Sequence, residues 1–144
     1  MITFAPFELS DLDLLEVQPR HTAVYEMFQE IGHARLERLL VGRYSWTAWT
    51  AYGVPVAACG ILYNGSAWAI LAPDLRRFML PITRKVRTVL EQHAAERGDV
   101  VAHIDRTHLE ASRWAGKLGF EPDGHGVHPA GGPDPHYETW RFRA

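Results

Sequence analysis

Six segments of the chain carry the apolar pattern of β-strands, because they alternate apolar with polar or small residues or form short apolar runs between turn residues. They span residues 2–8, 44–53, 54–65, 66–72, 100–105 and 137–143. Gly53–Val54–Pro55 marks a turn between the second and third segments, and Asn64–Gly65, a dipeptide typical of tight hairpins, ends the third. The pattern predicts an antiparallel meander of three strands between residues 44 and 72.

Apolar residues three and four positions apart predict helices in much of the remaining chain. A short helix is expected near residues 11–17 and a long one over 21–40, followed by helices over 82–97 and 107–118. The apolar stripes of the last two comprise Ile82, Val86, Val89 and Leu90, and Ala111, Trp114, Ala115 and Leu118. Residues 121–136, rich in Gly and Pro, are expected to form a long loop.

The last helix has local signals at both ends. Thr107 and Glu110 have the spacing of a capping box, in which two side chains satisfy backbone N–H groups reciprocally. Gly119 is expected in a left-handed conformation just after the helix, with Phe120 folding back onto the last turn. These signals predict a helix that begins at residue 107 and stops sharply at Gly119.

The order of elements points to one fold class. A strand, two helices, three antiparallel strands, a helix, a strand, a helix and a final strand make a mixed α/β protein with a partly antiparallel central sheet flanked by helices. The helix over 82–97 joins strands 66–72 and 100–105, and a crossover of this kind places them parallel. A chain of 144 residues is expected to form a single domain, 1–144.

Composition limits the classes of partner and the cellular compartments to be considered. A net charge of −2 gives no electrostatic basis for nucleic acid as the main partner. The chain has thirteen arginines and only two lysines, an excess that either anion recognition or a GC-rich genome would explain. Cys59 is the single cysteine, so no intrachain disulfide is possible. The acidic N-terminus lacks the basic region of a signal peptide, and no apolar stretch reaches membrane-spanning length. The expected location is a cytoplasm or a virion.

Two segments resemble the GNAT acyltransferase superfamily. Residues 108–120, with His108, Ala111, Lys117 and the Gly119–Phe120 ending, are similar to its N-x-x-A-x-x-L-Y-x-K-x-G-F segment, and 71–76 to its V-x-P-x-x-R segment before the pyrophosphate loop. This resemblance implies a GNAT-like fold and acetyl-CoA-dependent acyl transfer. Residues 105–114 also resemble D-x-x-N/H-x-x-A-x-R-W of small GNAT-like proteins of short-tailed bacteriophages, which include internal virion proteins.

The chain departs from this pattern where the superfamily has its functional groups. The glycine positions of the pyrophosphate loop hold Met79 and Pro81, and proline has no N–H to donate to a phosphate. The tyrosine general acid of the last helix falls at Ala115, and residues 66–72 contain no carboxylate base. The resemblance therefore implies that acetyl-CoA binds weakly or not at all.

The candidate site residues each have two interpretations. Arg76 and Arg77 either bind an anionic cofactor in place of the glycine loop or belong, like Lys85 and Arg87, to a solvated face. His108 either replaces the asparagine that touches the pantetheine arm or only starts a helix.

His103 and Asp105 share a strand face, either as a weak catalytic acid–base pair or as packing neighbours. The histidines at 125, 128 and 136 lie in a loop without metal-ligand spacing, so no metal is expected. Cys59 is expected to be a small buried residue. The tryptophans at 46, 49 and 68 are expected in the core unless two share an exposed face.

The leading expectation is a phage-type acetyltransferase-like protein that has little or no catalytic activity and binds a host or virion protein in the host cytoplasm or the virion. The alternative is an active acetyl-CoA-dependent N-acetyltransferase. No nucleic acid or membrane partner is expected.

Overall fold

The structure, a computed structural model, describes residues 1–16, 44–124, 126–128 and 131–144. The helix predicted over 21–40 lies outside these residues. The elements in chain order are β1 Ile2–Pro6, a 3-10 helix Leu9–Asp13, β2 Trp46–Thr50, β3 Pro55–Ile61, β4 Ala67–Leu71, α1 Met79–Arg97, β5 Val100–Asp105, α2 Leu109–Leu118, β6 Glu121–Pro122 and β7 Tyr137–Phe142.

Strands β1 to β4 form an antiparallel sheet in the order in which they occur along the chain. The hairpin between β3 and β4 is closed by Leu62 N–H donating to the carbonyl of Ser66 at 2.8 Å and Gly65 N–H donating to that of Leu62 at 2.9 Å. Gly65 has φ +87°, a value that glycine adopts without steric cost. The predicted three-strand meander is confirmed.

The remaining strands form a second antiparallel sheet in the order β5-β7-β6. A parallel bridge between Ser66 and Val101 joins the two sheets, and Val101 N–H donates to the carbonyl of Gly65 at 2.9 Å. Among the described residues, β4 and β5 have no further bridge beyond this one, so the two strands part towards their carboxyl ends. The mixed, partly antiparallel α/β fold predicted from the sequence is confirmed.

Helices α1 and α2 close over the point where the strands part. The indole N–H of Trp114 in α2 donates to the hydroxyl of Thr83 in α1 at 2.9 Å. Helix α1 also packs towards the first strand, because the Lys85 ammonium lies 5.6 Å from the centre of the Phe4 ring. In the described part of the chain, no helix combines the length and apolar character that a membrane span requires.

The predicted C-terminal end of α2 agrees with the structure, whereas its predicted N-terminal cap does not. The predicted capping box is wrong, because the helix begins after His108, which makes no side-chain cap, and the Thr107 side chain donates to Asp105 instead. The predicted stop is confirmed: Gly119 is left-handed with φ +105°, and Phe120 N–H donates to the carbonyl of Ala115 at 3.0 Å. The loop predicted over 121–136 contains the short strand β6 at its start.

Candidate functional site

A cleft of about 700 Å³ opens where β4 and β5 part. Its mouth is formed by the segment that follows β4, by the start of α2 and by the start of β7, which contribute Asp74, Arg76, His108, Glu110 and Tyr137. Its walls are mostly apolar side chains of β4, β5, α1 and α2. A deep apolar cleft with few polar groups is the usual form of a small-molecule site.

The edges of β4 and β5 direct backbone groups into this cleft. The N–H group of Val101 points towards β4. Because backbone N–H groups alternate in direction along a strand, the N–H groups of His103 and Asp105 point to the same side. On the other side of the cleft, the backbone groups of Ser66 and Ala72 form hydrogen bonds on the β3 side of β4. Because backbone groups alternate in direction along a strand, those of Ala67, Ala69 and Leu71 point towards the cleft. An extended ligand bearing amides would therefore meet peptide groups on both sides.

A polar cluster lies at the β5 side of the cleft. His103 and Asp105 lie on one face of the β5–β7 pair, and Tyr137 lies directly opposite Asp105 in register. The three residues all line the cleft. The Asp105 carboxylate Oδ1 accepts hydrogen bonds from the backbone N–H of Thr107 at 2.8 Å and from its hydroxyl at 2.7 Å. These bonds hold the carboxylate at the turn before α2.

His103 has the environment of a neutral imidazole. Burial lowers the pKa of His103 below its ordinary value of 6.5, because the charged form loses hydration. Its buried Nδ1 has no hydrogen-bond partner among the described residues. A neutral histidine beside an open cleft can accept a proton, which is the chemistry expected for it from the sequence.

Tyr137 was not identified from the sequence. Burial, followed by the negative charges of Asp105 and Asp134, raises the pKa of this phenol above its ordinary value, so it stays protonated at neutral pH. Its position at the start of the last strand gives no chemical signal in the sequence. The register of β5 with β7, which places it opposite Asp105, is what brings it to the cleft.

The candidate cofactor residues are distributed around the mouth. Arg76 lines the cleft and is 92% exposed, with Nε 3.4 Å from a carboxylate oxygen of Asp74. Arg77 is exposed and does not appear among the residues that line the cleft. His108 lines the cleft as the residue before α2. The structure therefore brings Arg76 and His108 to one opening, with Arg77 beside it in sequence.

The start of α1 contains Met79 and Pro81, the two residues expected from the sequence at the glycine positions of the pyrophosphate loop. Met79, Leu80 and Pro81 are the first three residues of this helix, and Met79 lines the cleft. The N–H groups of Met79 and Leu80 belong to the first turn, where intrahelical partners are lacking, whereas Pro81 has none to offer. Ala115, in the position of the expected tyrosine, is buried and lines the cleft.

The remaining candidates are structural. Cys59 is buried, and burial raises the pKa of its thiol, so it is a small apolar core residue as predicted. Trp46 and Trp68 are buried and Trp49 is partly buried, which agrees with the expected core role. Of the three loop histidines, His125 lies outside the described residues and His136 pairs with Asp134 at 2.9 Å. No group of three metal-binding side chains occurs within the described residues.

Comparisons with known proteins identify the fold. Spermidine N-acetyltransferase SpeG from Vibrio cholerae, solved in complex with CoA and spermine, has 14% identity and a TM-score of 0.60, with 99% of this chain and 95% of that chain covered. An acetyltransferase-like protein of Acinetobacter baylyi ADP1 has 17% identity and a TM-score of 0.64, with 100% and 93% covered. No protein-family model matches the chain, and no curated protein sequence matches it. These likenesses show that the chain has the GNAT acetyltransferase fold.

Proposed function

We propose that the protein is a CoA-dependent N-acyltransferase that transfers an acyl group to an amine. The observation that carries this proposal is the cleft between β4 and β5, which has peptide groups directed inwards from both strands and the first turn of α1 at its mouth. The GNAT fold of N-acetyltransferases that bind CoA supports it.

The residues fit the pantetheine arm of CoA better than its pyrophosphate. The arm contains amides, which match the peptide groups that β4 and β5 direct into the cleft. The pyrophosphate would meet the positive end of the α1 dipole, two N–H groups of its first turn, and the side chains of Arg76 and Arg77. Because Pro81 removes one donor, we expect weak binding with a salt-dependent contribution from the arginines.

The chemistry required of the chain is proton transfer. An acyl-CoA supplies an activated thioester, and transfer forms a C–N bond while breaking the C–S bond. His103 accepts the proton lost by the amine, since burial keeps its imidazole neutral. Tyr137, which is protonated at neutral pH, donates a proton to the leaving sulfur in place of the missing tyrosine on α2. Asp105, anchored by Thr107, follows His103 on the same strand face and lies opposite Tyr137.

A second candidate function is the phage-type one: a protein with little or no activity that binds a host or virion protein in the host cytoplasm or the virion. Ala115 and the absence of a carboxylate in β4 favour it, because two groups usual in this superfamily are missing. The similarity to N-acetyltransferases favours the enzyme.

The test is release of free thiol from acetyl-CoA in the presence of amines. Spermidine is the first amine to try, because several structural neighbours are spermidine N-acetyltransferases, and Asp105 and Glu110 provide carboxylates in the cleft. We expect amine-dependent release that falls at least tenfold in His103→Gln and stays unchanged in the matched control His136→Gln. His136 is exposed and lies outside the cleft lining. Amine-independent background release alone would favour the second candidate.

A further inference from the structure

The cleft extends well beyond the edges of the two strands that form it. Trp46 of β2 and Cys59 of β3 line it. Cys59 is paired with Trp46 on one side and with Ala69 of β4 on the other, so the three residues lie side by side across the sheet. Ile61 of β3, opposite Ala67, lines it as well. Adjacent strands lie about 4.8 Å apart, so the space reaches about 10 Å sideways from β4, under α1.

Exposure falls from the mouth to this deep end. At the mouth, the side chains of Arg76 and Asp74 are 92% and 76% exposed. At the deep end, Ile61 and Leu90 are each 2% exposed, although both line the cleft. The cleft is therefore a pocket with an accessible charged opening and a closed apolar bottom.

Small side chains leave the deep end open. Cys59, Ala67 and Ala69 contribute little volume on the sheet side, while α1 covers the space with larger apolar residues. None of the deep lining residues on β2 and β3 carries a charge, and the Cys59 thiol stays protonated because burial raises its pKa. Among the described residues, the lining of this end therefore offers mainly hydrocarbon contacts.

The orientation of a CoA ester in this pocket follows from the first turn of α1 at the mouth and the apolar side chains at the bottom. Phosphates belong at the mouth, where Arg76 and the positive end of the α1 dipole lie, with Arg77 next in sequence. The thioester end then points inwards, towards the closed apolar bottom. A two-carbon acetyl group reaches only part of the sideways space beneath α1.

We propose that the pocket under α1, bounded by Trp46, Cys59 and Ile61, holds the hydrocarbon chain of an acyl group longer than acetyl. This inference rests on the proposed function and names its donor class as medium-chain acyl-CoA. The balance is that of acyl transfer in general: the C–S bond breaks, the C–N bond forms, the amine loses a proton and the sulfur gains one.

Calorimetric titration with acetyl-CoA and octanoyl-CoA tests the inference directly. Burying one methylene group improves binding about fourfold, so a chain that enters the pocket gains affinity with each carbon it buries. We expect octanoyl-CoA to bind at least tenfold more tightly than acetyl-CoA, with a more negative heat-capacity change. Equal affinity for the two esters would overturn the inference.

Variants at Cys59 assign the gain to this pocket. Cys59→Leu fills the space under α1 and is expected to lower octanoyl-CoA affinity at least fivefold while leaving acetyl-CoA affinity within twofold. Cys59→Ala, the matched variant, widens the space and should keep the octanoyl preference, and a melting curve checks that both are folded. Loss of the preference in both variants or in neither would overturn the pocket assignment.

The inference and the proposed function fail in distinguishable ways. Amine-dependent release of thiol from acetyl-CoA, without any gain for octanoyl-CoA, overturns the chain-length inference and leaves the acyltransferase intact. Failure of both esters to bind overturns the proposed function, and the inference falls with it.

Discussion

Two glycines three residues apart at the end of α2 should respond to the same substitution with opposite signs. Gly119 has φ +105°, and a β-carbon built there would lie 3.1 Å from Cε2 of Phe142. Gly116 lies inside the helix, where an added β-carbon would have no atom within 4 Å. Gly119→Ala is therefore expected to destabilise the protein, and Gly116→Ala to stabilise it.

The magnitudes follow from these two environments. A left-handed conformation costs a residue with a β-carbon about 1–2 kcal/mol, and the contact with Phe142 adds to that cost. Alanine in place of a helical glycine gains about 0.5–1 kcal/mol. For a chain of this size, 1 kcal/mol corresponds to roughly 3–4 °C in Tm. We expect Gly119→Ala to lower Tm by about 4–8 °C and Gly116→Ala to raise it by about 2–3 °C.

Chemical and thermal unfolding of the two variants provide the measurement. Gly119→Val should be worse than Gly119→Ala, because a β-branched side chain tolerates the left-handed region poorly. Lys117→Ala, at an exposed position of the same turn, should change Tm by less than about 2 °C. If Gly119→Ala proved as stable as the parent protein, the helix would not end at Gly119 through a left-handed residue.

Three further predictions concern the sheet, the mouth and the polar cluster. A β-carbon at Gly60 would collide with the Ser45 side chain, so Gly60→Ala should cost about 1–3 kcal/mol in denaturant unfolding, and adding Ser45→Gly should recover part of it. The Arg76→Ala, Arg77→Ala double variant should weaken CoA binding at low salt by up to about fivefold per arginine, and its affinity should depend less on salt than that of the parent protein. Unchanged affinity would show that the two arginines do not contact CoA. Since burial lowers the pKa of His103, the loss of kcat/KM caused by protonation of His103 should occur below pH 6.5, and an NMR titration giving His103 a pKa of 6.5 or higher would contradict that environment.

The sequence predicted those features that depend on local chemistry. The hairpin before β4 followed from Asn64–Gly65, because that pair favours a tight turn whatever the surroundings. Strand β5 has the predicted bounds, 100–105, because a short apolar run lies between a glycine-ended helix and the next turn. The stop at Gly119 followed from the need for a left-handed residue after the helix.

Features that depend on contacts between distant segments could not be predicted in this way. Thr107 has the spacing of a cap, yet its hydroxyl bonds Asp105 because the turn from β5 places that carboxylate closer. Tyr137 entered the candidate site only through the register of β7 with β5. The depth of the cleft likewise depends on small residues from two strands, β3 and β4, meeting beneath α1, which no single stretch of sequence reveals.

Calorimetric titration of CoA into the protein at low and high salt measures whether the cleft between β4 and β5 binds CoA. We expect one-to-one binding that weakens as salt rises, because exposed arginines contribute near the mouth. Part of the affinity should persist at high salt, because the strand edges hold the pantetheine arm. The absence of any heat of binding at millimolar CoA, with the protein folded as judged by its melting curve, would contradict the account.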